Sequence, residues 1–495
     1  MSDEEGLPDR DWPTLDRDLN RLSRLEAAGQ HTARPLVGIG LSMVFVALAA
    51  LAAAVLTGVG AGSLPVIVAA AFGAYMALNI GANDVANNMG PAVGARALSM
   101  AGAIAIAAIC ETAGALLAGG DVVATISKSI IDPASLDGGP ETFVFAMLAA
   151  LLSAAIWVNL ATWIGAPVST THAVVGGVMG AGVAAAGLAA VNWPTMGSIA
   201  ASWVISPVLG GVIAAAILAF IKARIIYVDD KIAAARTWVP VLIGLMAAAF
   251  AAYLALKGLK HVMHVSMGTA LAIGGAAGLV FGAVSVPLVR RQSRGMENRN
   301  RSLKMLFRLP LVISAALLSF AHGANDVANA VGPLAAVVHA GSGGGIAAEV
   351  AIPLWVMVIG AMGISFGLVF FGPKLIGMVG NQITKLNPMR AYCVALSAAV
   401  TVIAASWAGL PVSSTHIAVG GVFGVGFYRE WDTARRARQS ATARPPAERL
   451  APEERGRRRL VRRSHFLTII AAWVVTVPAA ALLSALCFWA LTLVG

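Results

Sequence analysis

Runs of roughly 20 apolar residues recur along the chain from Pro35 to its C-terminus, and a helix of about that length crosses the hydrocarbon core of a bilayer. About ten to twelve such runs can be counted. They are continuous, whereas the strands of a membrane barrel alternate apolar and polar residues. Hydrophobic residues make up 58% of the 495 and charged residues 12%, which is too apolar for a water-soluble protein. The sequence therefore predicts an all-α polytopic membrane protein.

Charge is confined to the loops. The formal net charge is +11, and the densest basic stretch runs from Arg429 to Arg463 with few aromatic residues. Positive charge of this kind accumulates in cytoplasmic loops, so we expect no nucleic-acid partner. The three cysteines, Cys110, Cys393 and Cys487, lie inside apolar segments. Their placement favours neither a disulfide framework nor a metal cluster.

Two motifs each occur twice. GANDVANNMGP at 81–91 returns as GANDVANAVGP at 323–333, and PVSTTHAVVGG at 167–177 returns as PVSSTHIAVGG at 411–421. The aspartate of the first motif precedes the serine of the second by 85 residues in one copy and by 87 in the other. This matched order and spacing predicts two structural repeats.

The basic loops predict how the repeats face the membrane. Basic residues cluster at 222–236, at 290–308 and after Tyr428. If all three clusters are cytoplasmic, the apolar runs 238–256 and 266–289 form an out-and-back pair. The second repeat then begins inside and the first begins outside. This inverted topology is a common plan of secondary transporters, and it places the N-terminus in the cytoplasm and the C-terminus outside.

These features predict seven segments. They are a cytoplasmic leader with a short amphipathic helix at 1–35, an extra N-terminal membrane helix at 36–59, the first repeat at 60–222, a linker with two membrane helices at 223–308, the second repeat core at 309–428, a basic cytoplasmic loop at 429–464 and a last membrane helix at 465–495. The expected location is the plasma (inner) membrane, with multiple passes.

The GANDVAN motif has the residues of a cation site. It ends an apolar run, where Gly81 and Gly323 are predicted to break the helix and free carbonyl oxygens. Each aspartate is three residues from an asparagine, so the pair shares a helix face. Carboxylate and amide oxygens suit a small cation such as Na⁺. The candidate ligands are Asn83, Asp84, Asn87, Asn325, Asp326 and Asn329, with Asp84 and Asp326 binding the metal if it is sodium.

Alternatively, these aspartates cap helices or pair with a buried base. Carboxylates at membrane depth are costly and usually functional, which favours the ion site. Glu111, in another apolar run, is a third candidate ion ligand, and its alternative role is to pair with Lys128 near a helix end.

The PVS motif is typical of a helix N-terminus, because a proline and a run of hydroxyl residues precede a helix of small residues. Such an end binds oxyanions through free N–H groups. The candidate oxyanion ligands are Ser169, Thr170, Thr171, Ser413, Ser414 and Thr415. The alternative is plain N-capping. The glycine-rich segments that follow, up to Ala190 and Phe427, are predicted to return as re-entrant hairpins, and His172 and His416 are expected to brace their neighbours.

An oxyanion beside Asp84 and Asp326 meets like-charge repulsion of several kcal/mol at short range. Cations must therefore enter with it, which predicts symport.

Both duplicated motifs resemble those of the inorganic phosphate transporter (PiT) family from about residue 64 onward, apart from the central helix pair and the basic loop. The resemblance implies a cation-coupled phosphate symporter with these ion and phosphate residues, and ETAGALLAGG, which contains Glu111, matches the family's acidic helix. One position departs: Ala395 stands where sodium-coupled relatives tend to carry a second glutamate. His322, whose counterpart in the first repeat is Ile80, offers a proton site. The coupling ion is thus Na⁺ or H⁺.

Three alternatives remain. The first is a carrier of another oxyanion, sulfate or arsenate, and the second is a membrane receptor or scaffold. The third is an intramembrane hydrolase with Ser169 or Ser413 as nucleophile, which the duplication and the lack of a GxSxG elbow disfavour. We expect no enzyme activity, no cofactor beyond the coupling ion, and the lipid bilayer, phosphate and the cation as partners. The sequence leaves a homodimer open.

Overall fold

The computed structural model describes residues 36–58, 60–131, 136, 139–165, 168–258, 265–341, 352–382, 386–441 and 463–494. The leader 1–35 and residues 442–462 of the basic loop lie outside the described residues. The helices are α1 (Leu36–Thr57), α2 (Leu64–Gly94), α3 (Met100–Ala118), α4 (Gly120–Lys128), α5 (Gly139–Ile164), α6 (Thr170–Ala186), α7 (Trp193–Ile221), α8 (Lys231–Lys257), α9 (Met267–Gln292), α10 (Asn300–Leu306), α11 (Arg308–Asp326), α12 (Ala328–Gly341), α13 (Leu354–Gln382), α14 (Pro388–Trp407), α15 (Ser414–Ala441) and α16 (Arg463–Val494). Short 3-10 turns occur at Ala61–Ser63 and Leu188–Ala190, and a π-helical turn, Lys222–Ile226, follows α7.

Eleven helical segments of the described chain are long and apolar enough to cross a membrane. Large apolar side chains lie on the outside of the bundle; on α7, for example, Val204, Val208 and Val212 are each at least 60% exposed. Polar side chains lie inside. This inside-out distribution and the eleven segments confirm the prediction of an all-α multi-pass membrane protein with about ten to twelve helices.

The motif glycines do not break their helices. α2 continues through Gly81 and α11 through Gly323, so the predicted breaks are wrong. A Cβ atom at Gly81 would overlap the carbonyl oxygen of Ile364 in α13, and one at Gly323 would overlap that of Glu111 in α3. The glycines therefore permit backbone-to-backbone packing. The one interruption is Val327, between α11 and α12, whose φ and ψ remain helical.

Corresponding helices of the two repeats make corresponding contacts. α2 packs on α13 as α11 packs on α3, and α6 packs on α16 as α7 packs on α15. Thr112 of α3 and Ser365 of α13 meet in a hydrogen bond of 2.6 Å between their hydroxyl oxygens. Each repeat is therefore completed by helices of the other.

The predicted re-entrant hairpins are wrong in position. α6 is one helix of 17 residues, and α15 continues without a turn past Phe427 to Ala441. Neither segment folds back on itself, because α6 stays helical until Gly187, whose φ of 74° ends it, and α15 stays helical to Ala441. The chain reverses before the hydroxyl residues, between α5 and α6 and between α14 and α15. The helix also replaces the expected loop over 429–441.

The basic segments lie together at one end of the bundle. The Nε atom of Arg236 donates to the hydroxyl of Ser293 (2.7 Å), and Lys222 forms an ion pair of 2.7 Å with Asp432. Arg436 stacks on the ring of Tyr227, 3.3 Å from its centroid. Two helices of membrane-spanning length, α8 and α9, occupy the region of the apolar runs 238–256 and 266–289.

Candidate functional site

The two copies of both motifs converge on one buried site. The GANDVAN residues lie within α2 and at the end of α11, and the hydroxyl residues form the N-termini of α6 and α15. Asp84 and Asp326 are each 1% exposed, and all six motif hydroxyl residues are at most 3% exposed. Charged groups this deeply buried require compensation from their surroundings.

Asp84 is held by hydroxyls from both repeats. Thr170 donates to its Oδ2 (2.8 Å), and Thr415, from the other repeat, donates to its Oδ1 (3.0 Å). The amide of Asn87 donates in turn to the hydroxyl of Thr415 (2.7 Å). The two hydroxyl motifs therefore meet at the first aspartate.

Asp326 has a different environment. Ser414 donates to its Oδ2 (3.1 Å), just as Thr170 donates to Asp84 Oδ2. The Nε2 atom of His322 lies 2.8 Å from the same Oδ2 and 3.8 Å from Asp84. One ligand atom from each of Asp84, His322 and Asp326 fits within a group spanning 4.8 Å. The imidazole thus stands between the two carboxylates.

The six predicted phosphate residues divide into two kinds. Ser169 and Ser413 cap their helices, because their hydroxyls accept from the backbone N–H groups of His172 (3.1 Å) and His416 (3.3 Å). The other hydroxyls make cross-repeat or carboxylate contacts: Thr171 donates to the carbonyl oxygen of Val412 (3.1 Å). Asn329 donates to Thr171 (3.2 Å) as Asn87 donates to Thr415.

Asn83 and Asn325 point to the neighbouring helices α5 and α14. The amide of Asn83 donates to Thr162 (2.9 Å), and the amide of Asn325 hydrogen bonds with Ser406 (3.0 Å). Sequence reasoning missed both partners. Thr162 and Ser406 occupy equivalent positions in the two repeats, eight residues before the first residues of α6 and α15. This repetition is the sequence signal that could have identified them.

Glu111 joins the site through His322. Its Oε1 atom lies 3.2 Å from His322 Nδ1 and accepts from the amide of Asn88 (3.0 Å). Asn88 was also missed, although it lies inside the first motif. The alternative partner of Glu111, Lys128, has a side chain outside the described part of the structure.

Several buried oxygen atoms of the site have no hydrogen-bond partner among the described residues. They are Asn83 Oδ1, Asn88 Oδ1, Glu111 Oε2 and Asn329 Oδ1. A buried acceptor without a donor is costly. These four atoms are amide and carboxylate oxygens, which are the ligands that hard cations prefer, so the residues present fit bound cations.

His172 and His416 pack against one another beside the site. Their ring centroids are 4.4 Å apart, and His172 also lies 3.9 Å from the ring of Trp203. This packing agrees with the expected bracing role.

The structure is a bundle of membrane-length helices that encloses two carboxylates next to two helix N-termini. This arrangement is that of a membrane transporter. The profile of the phosphate transporter family matches residues 80–484. The chain belongs to the phosphate transporter (PiT) family, a transporter family and not an enzyme family.

Individual relatives agree with this membership. A protein of Helicobacter pylori strain J99 described as a phosphate permease is 43% identical, covering 96% of this chain and 98% of the relative. Inorganic phosphate transporter 2-1, chloroplastic, of Arabidopsis thaliana is 35% identical, covering 85% and 71%. The solved structure of a sodium-dependent phosphate transporter has a TM-score of 0.78 and 35% identity, covering 87% of this chain and 100% of that one.

Proposed function

We propose that the chain is a secondary active symporter that imports inorganic phosphate across the plasma membrane together with sodium ions. One observation carries the proposal: the hydroxyl-bearing N-termini of α6 and α15 lie directly on Asp84 and Asp326. An anion site and a cation site therefore share one buried space. Membership of the PiT family supports phosphate, and the similar sodium-dependent transporter supports sodium.

Phosphate is received at the two helix N-termini. The first N–H groups of α6 and α15 have no partner within their own helices, and the positive ends of both helix dipoles point to the same place. The hydroxyls that would surround phosphate are those of Ser169, Thr170, Thr171, Ser413, Ser414 and Thr415. Ser169 and Ser413 accept from the backbone, and their own protons remain available to donate.

Cations are required because phosphate approaches two carboxylates. Two unit charges 4 Å apart repel by about 4 kcal/mol at an effective dielectric constant of 20. Sodium ions held by Asp84, Asp326 and the amide oxygens of Asn83, Asn87, Asn325 and Asn329 would offset this repulsion. Binding of either species is then weak without the other, and this mutual dependence is the physical basis of coupling.

Proton coupling is the second candidate, and His322 favours it. Its imidazole lies 2.8 Å from Asp326 and 3.2 Å from Glu111, so a proton gained there would neutralise neighbouring carboxylates. The chain carries Ala395 at the position where sodium-coupled relatives tend to carry a second glutamate, which also weakens the case for sodium.

The repeats are proposed to be inverted, with the N-terminus in the cytoplasm and the C-terminus outside. The three basic segments lie at one end of the bundle, joined by the Arg236–Ser293 and Lys222–Asp432 contacts, and basic residues mark the cytoplasmic side. The seven-segment division of the chain, with α8 and α9 as the linker, belongs to the same proposal. A homodimer stays a prediction.

Reconstituted liposomes provide the test. We expect radiolabelled phosphate to accumulate when an inward sodium gradient is imposed, and not when a proton gradient alone is imposed. Asp84→Asn and Asp326→Asn should each abolish accumulation while the protein still inserts and purifies normally. Uptake driven by protons alone would replace sodium with the second candidate. Full coupled transport by both variants would refute the ion sites, and inhibition by sulfate without transport of phosphate would refute the substrate.

A further inference from the structure

A cavity lies at the basic end of the bundle, between the end of α7 and the last turns of α15. α7 ends at Ile221 and is followed by the π-helical turn Lys222–Ile226, whereas α15 continues to Ala441. The volume of the cavity is about 330 Å³. We call it the interfacial cavity, and the residues that line it include Tyr227, Tyr428, Trp431, Asp432, Arg435 and Arg436.

Aromatic side chains indicate that the cavity lies at the depth of the membrane surface. The rings of Tyr428 and Trp431 have centroids 5.7 Å apart, and Trp431 is 54% exposed. Phe427, one helical turn before Trp431, is also exposed. Tyrosine and tryptophan are enriched where a bilayer meets water, because each joins an apolar ring to a polar group. The headgroup of a phospholipid can therefore reach the cavity from the surrounding bilayer.

Asp432 holds the inner wall of the cavity together. Its Oδ2 atom accepts hydrogen bonds from Lys222 (2.7 Å) and from the hydroxyl of Tyr227, and the residue is buried. Its Oδ1 atom accepts from Nε of Arg436 (3.4 Å). These contacts join α15 to the turn after α7. The wall is therefore ordered by the protein itself, which lowers the cost of binding a ligand.

The cavity has a net positive charge. Lys222, Arg435 and Arg436 each carry one positive charge. Asp432 is the one carboxylate of the described residues that forms an ion pair with any of these three side chains. Its single negative charge leaves an excess of two positive charges. This excess favours an anionic ligand.

The two arginines are positioned by aromatic rings. Arg436 stacks on the ring of Tyr227, 3.3 Å from its centroid. Arg435 lies over the ring of Trp431, 5.4 Å from its centroid, and it forms no ion pair with a described residue. Stacking orients the plane of a guanidinium group and leaves its N–H groups available at the edge. These N–H groups match the oxygens of a phosphate in pairs.

We propose that the interfacial cavity binds the phosphodiester headgroup of an anionic phospholipid such as phosphatidylglycerol, with Arg435 and Arg436 donating to the phosphate oxygens. Basic pockets between membrane helices bind such headgroups. The bound lipid stabilises the contact between α15 and the turn after α7. This site is separate from the buried site at the N-terminus of α15, and its occupancy does not depend on the coupling ion proposed above.

The thermal midpoint of the purified protein in a neutral detergent tests the site, because a ligand that binds the folded state raises it. We expect phosphatidylglycerol to raise the midpoint of the wild type by several degrees. Phosphatidylcholine, whose headgroup has no net charge, should raise it by less than half as much. Arg435→Gln and Arg436→Gln should each lose at least half of the shift that phosphatidylglycerol produces. Native mass spectrometry should show fewer bound phosphatidylglycerol molecules on both variants.

Arg438→Gln is the matched control. Arg438 is an exposed arginine of the same helix, and its replacement removes the same charge, but it does not line the cavity. This variant should retain the full shift with phosphatidylglycerol. Because the readout is the difference with and without lipid, any loss of stability from the missing contact between Arg436 and Tyr227 does not affect the comparison.

Inorganic phosphate distinguishes the two sources of a phosphate group. The shift that it produces should be the same in the wild type and in Arg435→Gln and Arg436→Gln, since free phosphate binds at the buried site. Loss of that shift in the two variants would mean that the cavity binds free phosphate, and it would overturn the lipid assignment. The site is refuted if phosphatidylglycerol stabilises both variants as much as the wild type, if Arg438→Gln loses as much as they do, or if phosphatidylcholine is equally effective.

Discussion

Replacing Gly81 with alanine tests whether the motif glycine permits close packing or breaks a helix. In the structure, α2 is continuous through Gly81, and an added Cβ would overlap the carbonyl oxygen of Ile364 and approach the backbone nitrogen of Leu368. Both are backbone atoms, so no side-chain rotation can relieve the overlap. α2 and α13 must move apart.

The expected cost follows from two opposing effects. Overpacking a tightly packed interior costs about 1–3 kcal/mol, and contact between two backbones places Gly81→Ala at the upper end of that range. Alanine is about 1 kcal/mol more favourable than glycine inside a helix. The net loss is therefore about 2 kcal/mol, which lowers the ratio of folded to unfolded protein roughly 30-fold. Transport should also fall, since Asp84 is three residues away.

The assay is the thermal midpoint of detergent-purified protein, followed by the loss of the monodisperse chromatographic peak. Gly275→Ala is the control: Gly275 lies inside α9, and a Cβ there would meet nothing within 4 Å. We expect Gly81→Ala to lower the midpoint by several degrees and the control to leave it unchanged or raise it. Equal midpoints for the two variants would refute the close-packing interpretation.

Two further predictions concern the buried site and the basic end of the bundle. Thr170→Val removes the hydroxyl that donates to Asp84, so we expect the KM for phosphate to rise. The thermal midpoint should also fall, because a buried carboxylate oxygen loses its donor. An unchanged KM would exclude Thr170 from the site. Asp432→Asn leaves Lys222 without its partner and should cost about 1–3 kcal/mol, between the values for exposed and buried ion pairs. Burial raises the pKa of the Asp432 carboxyl, but hydrogen bonds from Lys222 and Tyr227 lower it by more than burial raises it. The net pKa is therefore below the ordinary value. The stability difference from the wild type should therefore persist from pH 8 down to about 4 and shrink only below that; a difference that disappears near pH 6 would contradict it.

The sequence was sufficient to predict which residues form the candidate site, because the chemistry of these residues is local and duplicated. Asp84, Asp326 and the two hydroxyl runs are each recognisable within a few residues, and their repetition predicted that they act together. The contacts between repeats were not predictable in this way. That Thr415 donates to Asp84, and that His322 reaches Glu111, depends on how helices far apart in sequence cross, and no local pattern encodes that crossing.

The errors about helix breaks and hairpins have a common cause. Glycine lowers helix propensity and also permits close approach of backbones, and the sequence shows only that a glycine is present. At Gly81 and Gly323, the close approach of backbones is the property that matters, and both helices continue through the glycine. After Ser413, the small residues of α15 pack against α7, where Gly424 faces Gly211, and the helix continues because its partner helix stabilises it.

The duplicated fold tolerates unequal chemistry because backbone contacts maintain its symmetry. Gly81 and Gly323 fix the helix crossings through carbonyl oxygens of Ile364 and Glu111, and those contacts are the same whether the side chain is isoleucine or glutamate. A polar side chain can therefore change on one side without moving the helices. Since like charges in a low-dielectric interior repel strongly, a second copy of Glu111 in place of Ile364 would add another buried negative charge to the same enclosure. An asymmetric arrangement limits the buried negative charge that this enclosure must compensate.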